Sequence, residues 1–257
     1  MIEYFIIAIL QGFLEWLPIS SSGQVLIVAI LVFNIPNHEA FSLAIWIHLG
    51  TSLAVLVKYR TNYFNIIKAI FPNIFNSKEN HRKERNLLIY ATIGTAISGL
   101  PLYFLFEFVI INFFTATFGD LLTVVIAGLL IITGVILFIT RNKYGNKDFE
   151  IISITQVNRD GFIAGIAQGV SILPGISRSG TTVSTFLFQK YKQNHALKLS
   201  FLISVPVVFA SILVDILFGK SSIIGINVFI LAVCSVISFI IGYLTMEFLI
   251  KVSRRVR

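Results

Sequence analysis

Charge and cysteine are what this chain has least of. Lysine, arginine, aspartate and glutamate make up 12% of the 257 residues, against about 25% in an ordinary soluble domain. With 56% hydrophobic residues and a mean hydropathy of +0.88, the composition excludes a soluble fold and indicates a multi-pass membrane protein. The single cysteine, Cys234, forms neither an intrachain disulfide nor a multi-thiolate metal site. Met1-Ile2-Glu3 offers no basic flank, and no small-residue cleavage site follows, so the first apolar run is expected to belong to the mature fold rather than to a removed signal peptide.

What is present is a duplicated motif. QGFLEWLPISSSG at Gln11 to Gly23 and QGVSILPGISRSG at Gln168 to Gly180 are near copies inside apolar sequence. A span needs about 20 apolar residues, with about 17 as a lower limit. Five runs qualify: 41–57, 87–106, 121–140, 199–217 and 225–250. Four shorter pieces, 4–14, 25–33, 161–173 and 181–188, flank the motifs in pairs. They predict two re-entrant hairpins turning at Pro18 to Gly23 and at Pro174 to Gly180, with non-helical backbone shielded by protein or lining a wet cavity. For the first hairpin the alternative is one long span kinked at Pro18.

Cytoplasmic loops carry the Lys/Arg excess. If the second hairpin returns to its own side, every basic residue except Lys220 and Arg178 falls on one face; for the first hairpin charge is nearly silent, and its return is read from the repeat. A fully crossing second hairpin would throw Lys190, Lys192, Lys198 and the C-terminal basic residues to the other. The predicted fold is an all-α integral membrane, inverted-repeat bundle of about five transmembrane helices and two re-entrant helical hairpins. It forms one membrane domain over 1–257, with repeat 1 at about 1–110, a linking helix at about 118–142 and repeat 2 at about 160–252. Hairpins entering from opposite faces bring their turns together near the midplane. The net charge of +8 follows from the inside bias and needs no nucleic-acid partner, and the basic segment 58–86 suits anionic lipid headgroups.

Arg178 is the sharpest chemical signal, because an arginine at mid-membrane costs about 2.5–3.5 kcal/mol on insertion scales. Its five donors suit a phosphate or carboxylate. Ser177, Ser179, Gly180 and Thr181 add hydroxyls and close-approach amides, and a helix starting near Gly180 would aim its positive end at an anion. The alternative is an internal salt bridge to Glu15, Asp215 or Glu247. Glu15 shares a helix face with Gln11 and suits either a general base or a ligand of a hard cation that also takes substrate phosphate oxygens. Ser20, Ser21 and Ser22 offer a nucleophile, or a cap for a helix beginning near Gly23. His48, about two turns into the first span, is a candidate participant.

Together with IHLGTSLAVLV at Ile47 to Val57 and the AQG before the second motif, these segments resemble the undecaprenyl-diphosphate phosphatase family, also called bacitracin-resistance proteins. The likeness runs through nearly the whole chain. It implies a membrane enzyme that removes the terminal phosphate of a polyprenyl diphosphate, a divalent cation (Mg2+, with Ca2+ as the alternative) and a site open to the outer face of the cell membrane. Carried over by position, Glu15 is the essential glutamate and metal ligand, Ser20 and Ser21 are motif serines, and Arg178 binds the diphosphate. The expected catalytic set is therefore Glu15, Ser21, Arg178 and His48. Gln11, Ser20, Ser22, Gly23, Gln24, Ser177, Ser179, Gly180 and Thr181 are expected to bind substrate.

The chain departs from the family where Gln11 replaces a frequent glutamate and Gln24 a frequent histidine, while His48 stands where many relatives carry glutamine. Either Ser21 is then the nucleophile or His48 supplies the base. Many relatives also have one more apolar helix beyond Val252 to Arg257. Expected partners are the polyprenyl diphosphate and membrane lipids, with a homodimer left open. An inverted repeat binding a phosphorylated ligand at mid-depth also suits a transporter or flippase, from which release of inorganic phosphate would separate an enzyme.

Overall fold

The computed structural model describes residues 1–70, 78–113, 119–143, 145–218 and 228–255, and these are helical apart from turns and one isolated bridge between Lys147 and Tyr191. Repeat 1 holds α1 (Ile2–Leu14), α2 (Ser21–Ile27, extended by a π-helical turn over Val28–Val32), α3 (Asn37–Lys58), α4 (Arg60–Ile70) and α5 (Glu79–Phe113). After α6 (Gly119–Thr140), repeat 2 holds α7 (Ile154–Val170), α8 (Arg178–Phe188), α9 (Gln193–Phe218) and α10 (Val228–Arg255). Stretches long and apolar enough to cross a membrane lie in α3, α5, α6, α9 and α10, matching the five expected spans. The first residues of the expected 225–250 span, together with Lys220 and Arg257, lie outside the described residues.

Both hairpins fold back. Ile35 and Ala40, beyond α2, share an apolar cluster with Ile7 and Ala8 of α1, and α1 and α3 both run along α10 in one direction, so α2 between them returns the chain to the side it entered. The end of α8 returns to the start of α7: Gln189 Nε2 donates to the Asp160 carbonyl at 3.1 Å and the Tyr191 hydroxyl to Asp160 Oδ2 at 2.8 Å. Lys147 Nζ reaches the same carboxylate oxygen at 2.5 Å. Pro18 is therefore a turn within a hairpin and not a kink in one span.

Contacts between long helices fix their directions. Cys234 of α10 meets the Tyr4 carbonyl of α1 and Thr245 meets that of Gly12, so α1 and α10 run parallel. Along α7, Gly161, Gly165 and Gly169 abut Leu87, Ala91 and Gly99 in turn, so α7 runs parallel to α5. Val55 of α3 clusters with Phe201 and Val205, and Ile45 with Val208 and Ile212, so α3 and α9 are antiparallel. Gly50 against Ser235 and Lys58 paired with Glu247 align α3 with α10, whereas Phe41 of α3 stacks near Phe106 of α5 at 5.6 Å while its far end meets α5 at Glu84, through Asn62 just beyond it. Thus α1, α3 and α10 run one way and α5, α7 and α9 the other. Matched in order, α1 with α7, α3 with α9 and α5 with α10, each element opposes its counterpart, which is an inverted repeat. The first arm of each hairpin packs on the last long helix of the other half.

Several boundaries differ from expectation. The second arms begin at Ser21 and Arg178 rather than near Gly23 and Gly180, because Ser20 and Ser177 hold the N-cap positions and the rest of each motif enters the first turn. Within the expected loop 58–86 lies α4, whose Ile66 and Ala69 are buried while Phe64, Ile67 and Ile70 are exposed. Its Tyr63 hydroxyl donates to the Leu202 carbonyl at 2.8 Å. Pro206, four residues on, cannot donate to that carbonyl, so α4 satisfies a backbone group that the α9 proline leaves open. Burial pushes the Tyr63 phenol above its ordinary range, keeping it a donor.

The tips lie at mid-depth, beside Ile126 and Thr133 in the middle of the α6 span. At Gly165 a Cβ would fall 2.1 Å from the Ala91 carbonyl oxygen, whereas at Gly134 of α6 it would meet nothing within 4 Å. Gly165→Ala is therefore expected to cost about 1–3 kcal/mol by overpacking, and Gly134→Ala to be neutral or stabilising by up to about 1 kcal/mol; thermal unfolding of the detergent-solubilised protein measures both.

Candidate active site

The first tip begins where α1 ends. Glu15 is still helical, and two tight turns, Leu17 N to Leu14 O at 3.0 Å and Ile19 N to Leu17 O at 2.8 Å, reverse the chain. Ser20 then adopts φ 59°, a left-handed conformation uncommon for a residue with a Cβ. Its side chain does not cap its own helix; Ser20 Oγ accepts instead from the Gly175 amide at 3.0 Å, across to the other tip. Gly175 has φ 107°, which only glycine adopts readily. A Cβ on Gly23 would fall 3.0 Å from the Gly175 nitrogen, so contact between the tips depends on small residues on both sides. In the second tip Ser177 does cap α8, its Oγ accepting from the Gly180 amide at 3.1 Å.

In register, Ser20 corresponds to Ser177 and Ser21 to Arg178. Each arm therefore presents its first helical residue to one carboxylate. Ser21 Oγ donates to Glu15 Oε2 at 2.7 Å, and the Arg178 guanidinium pairs with Glu15 Oε1. Gln11 Nε2 donates to Oε2 at 2.5 Å, and His48 Nε2 stands 3.3 Å from the same oxygen. His48 Nδ1 bonds to the Ala44 carbonyl, which orients the ring. The Glu15 side chain is only 2% exposed and that of Arg178 17%, so the arginine faces the open space.

That space is a cavity of about 120 Å³ whose wall includes Glu15, Ser20, Ser21, Ser22, His48, Ser177 and Arg178. Gln11 is buried behind Glu15 as its hydrogen-bond donor. Gly23, Gln24, Ser179, Gly180 and Thr181 do not line the wall. Gly23 is the tip contact, Ser179 Oγ donates to the Leu17 carbonyl at 3.3 Å, and the Thr181 hydroxyl donates back to Ser177 and Arg178 carbonyls of its own helix. Of the partners considered for Arg178, Glu15 is the one it meets. Asp215 accepts from Trp46 Nε1 at 3.3 Å and Glu247 pairs with Lys58. The far wall, with Thr95, Gly99, Gln168, Ser171, Val208 and Ser211, is absent from the sequence-derived set. Small polar residues recurring along an otherwise apolar span, as Thr95, Ser98 and Gly99 do, are the signal that marks it.

Chemically the arrangement pairs a hydroxyl with a carboxylate that can take its proton, beside the guanidinium of Arg178 at the N-terminus of α8. Oxyanion binding next to an activated hydroxyl is the chemistry this supports.

Comparison with known proteins is consistent with this geometry. The family model described as Bacitracin resistance protein BacA matches residues 4–257. The undecaprenyl-diphosphatase of Methanothrix thermoacetophila is 39% identical over 255 residues, covering 99% of this chain and 90% of that protein. That of Methanopyrus kandleri is 33% identical, covering 96% and 86%, and that of Haloarcula marismortui is 32% identical, covering 98% and 89%.

Ser20→Ala strips the Gly175 amide of its acceptor and is expected to cost about 1–3 kcal/mol. Ser20→Gly loses the same bond but relieves the left-handed backbone, so its melting temperature should fall between those of Ser20→Ala and the wild type.

Proposed function

The chain belongs to the bacitracin resistance protein BacA family, and from that membership we propose that it is an integral-membrane phosphatase. It hydrolyses undecaprenyl diphosphate, or a polyprenyl diphosphate of the same kind, to the monophosphate carrier lipid and inorganic phosphate. The observation that carries the reading is the convergence of Ser21 and Arg178, from opposite halves of the chain, on Glu15 at the wall of one cavity.

On binding, the diphosphate competes with Glu15 for Arg178 and takes the guanidinium fork at the N-terminus of α8. Glu15 Oε2, which already accepts from Ser21 Oγ, is the base for that hydroxyl. Ser21 Oγ attacks the terminal phosphorus in line, its proton passes to Glu15 Oε2, and the bond from that phosphorus to the bridging oxygen breaks, releasing the polyprenyl monophosphate. Glu15 gives that proton to the departing phosphate oxygen and is a carboxylate again; a water molecule then attacks the phosphoserine, its proton passing to Glu15 and from there to Ser21 Oγ as the P–O(Ser21) bond breaks and phosphate leaves. His48 and Gln11 hold the carboxylate's orientation throughout. Such a transfer asks mainly for positioning and charge neutralisation.

A divalent cation, Mg2+ or Ca2+, suits the oxygen-rich wall. Among the described residues no cluster of three His, Cys, Asp or Glu side chains gathers for a metal, so Glu15 would hold it with the Ser21 hydroxyl, water and diphosphate oxygens, as is usual for Mg2+. When bound it would neutralise phosphate charge.

The site is assigned to the outer face of the cell membrane. Its wall runs from the tips along the first half of α3 (Phe41, Ile45), past the middle of α5 (Gly99) and along the second half of α9 (Val208, Ser211), all toward the end opposite Lys58, Lys147 and Lys198. The apolar wall residues, Ile45, Ile172 and Val208, suit the first isoprene units, and the tail leaves between helices into lipid. Membrane lipids are the second partner: α4 exposes Phe64, Ile67 and Ile70 at the basic end, with Lys68 over the Phe64 ring, as an interfacial helix does. Both tips come from one chain, so the reaction needs no second copy.

Phosphate release from undecaprenyl diphosphate by the purified protein is the test. Activity is expected with Mg2+ and to be lost in EDTA. Ser21→Ala, Glu15→Gln and Arg178→Lys should each lose about 100- to 1000-fold in kcat. Full activity in Arg178→Lys, or no release by folded wild-type protein, would overturn the reading.

A further inference from the structure

Along α6 the buried residues Ile126, Thr133 and Thr140 are spaced seven apart, so this otherwise lipid-facing helix turns one narrow stripe toward the hairpins. Thr140 bonds back to the Ile136 carbonyl of its own helix at 2.8 Å, the default for a helical threonine, and also meets Ser184 Oγ at 3.0 Å. Thr133 does something different. Its Oγ1 donates to the Gly175 carbonyl at 2.9 Å and accepts from the Ser177 amide at 3.1 Å. One hydroxyl thus satisfies two backbone groups of the non-helical turn that immediately precedes Arg178.

Those groups have few other options. Gly175 already uses its amide on Ser20, Ser177 uses its hydroxyl on the Gly180 amide, and both residues are buried, so a lost partner is not freely replaced. With Ser20 on one side and Thr133 on the other, the turn is clamped between the first hairpin and α6. The direction in which Arg178 leaves the first turn of α8 is set by that clamp.

We propose that Thr133 is a positioning residue for the phosphate-binding arginine: α6, beyond linking the two repeats, fixes the Gly175–Ser177 backbone through this one hydroxyl and so aims Arg178 at the cavity. The inference rests on the phosphatase reading for its kinetic consequence, but its structural half does not. Thr133→Val keeps the shape and removes the hydroxyl, Thr133→Ser keeps the hydroxyl, and Thr140→Val removes a hydroxyl from the same stripe that does not touch the turn.

In Thr133→Val the amides of 175–180 should exchange hydrogen for deuterium at least about tenfold faster, and kcat should fall about 10- to 100-fold with KM changed less than about threefold. Thr133→Ser should restore both to within about twofold, and Thr140→Val should leave both near wild type. Wild-type exchange and kcat in Thr133→Val, failure of Thr133→Ser to rescue, or an equal loss in Thr140→Val would overturn the proposal. Faster exchange in Thr133→Val from a wild type that releases no phosphate would instead leave the clamp standing and count against the phosphatase reading.

Discussion

A carboxylate at mid-membrane depth must find its countercharge inside the protein, and Glu15 finds it in Arg178, 163 residues away in the other half of the chain. Neither group is affordable there alone. The pair forms only if the tips of two hairpins meet, and tips entering from opposite faces meet only if the halves are inverted. Exchange of first arms between halves, α1 onto α10 and α7 onto α5, holds the tips at that depth. The ion pair is at once a condition for the fold and the resting state of the site, since the arginine that neutralises Glu15 also faces the cavity where an anion can take its place.

A second constraint is the backbone of the tips, which has no helical ladder and is largely buried. The structure meets it with hydroxyls placed one by one: Ser20 for the Gly175 amide, Ser177 for the Gly180 amide, and Thr133 for the Gly175 carbonyl and the Ser177 amide. The same accounting explains Tyr63 at the carbonyl that Pro206 leaves open. Serine and threonine in these segments are parts of the backbone's hydrogen-bond completion, and Ser21 stands out as the motif serine whose hydroxyl is directed at a carboxylate instead.

Much of this was legible in the sequence. The five spans follow from hydropathy alone, the return of the second hairpin follows from where the lysines and arginines fall, and that of the first, where charge is nearly silent, rests on its likeness to the second. The duplicated motif marks the tips because a Gly/Pro-broken, hydroxyl-rich segment in apolar sequence has few other uses. Less legible were the helix starts, since a serine is as much at home at an N-cap as in the first turn, and α4, whose apolar residues are too few for hydropathy to register. Gln24, Ser179, Gly180 and Thr181 read as ligands by proximity to the motif, yet the helical period turns them away from the cavity. Val208 and Thr133 reach the site only through tertiary packing, which no local pattern announces.

The most direct test of the Glu15–Arg178 linkage is a double-mutant cycle of Glu15→Gln and Arg178→Gln read by thermal unfolding in detergent. Each single change strands a buried charge and should cost about 3–5 kcal/mol, while the double change should cost well under the sum, leaving a coupling of at least about 2 kcal/mol. Costs that add to within about 0.5 kcal/mol would mean that the two groups do not hold each other, and the account of how the halves are joined would be wrong.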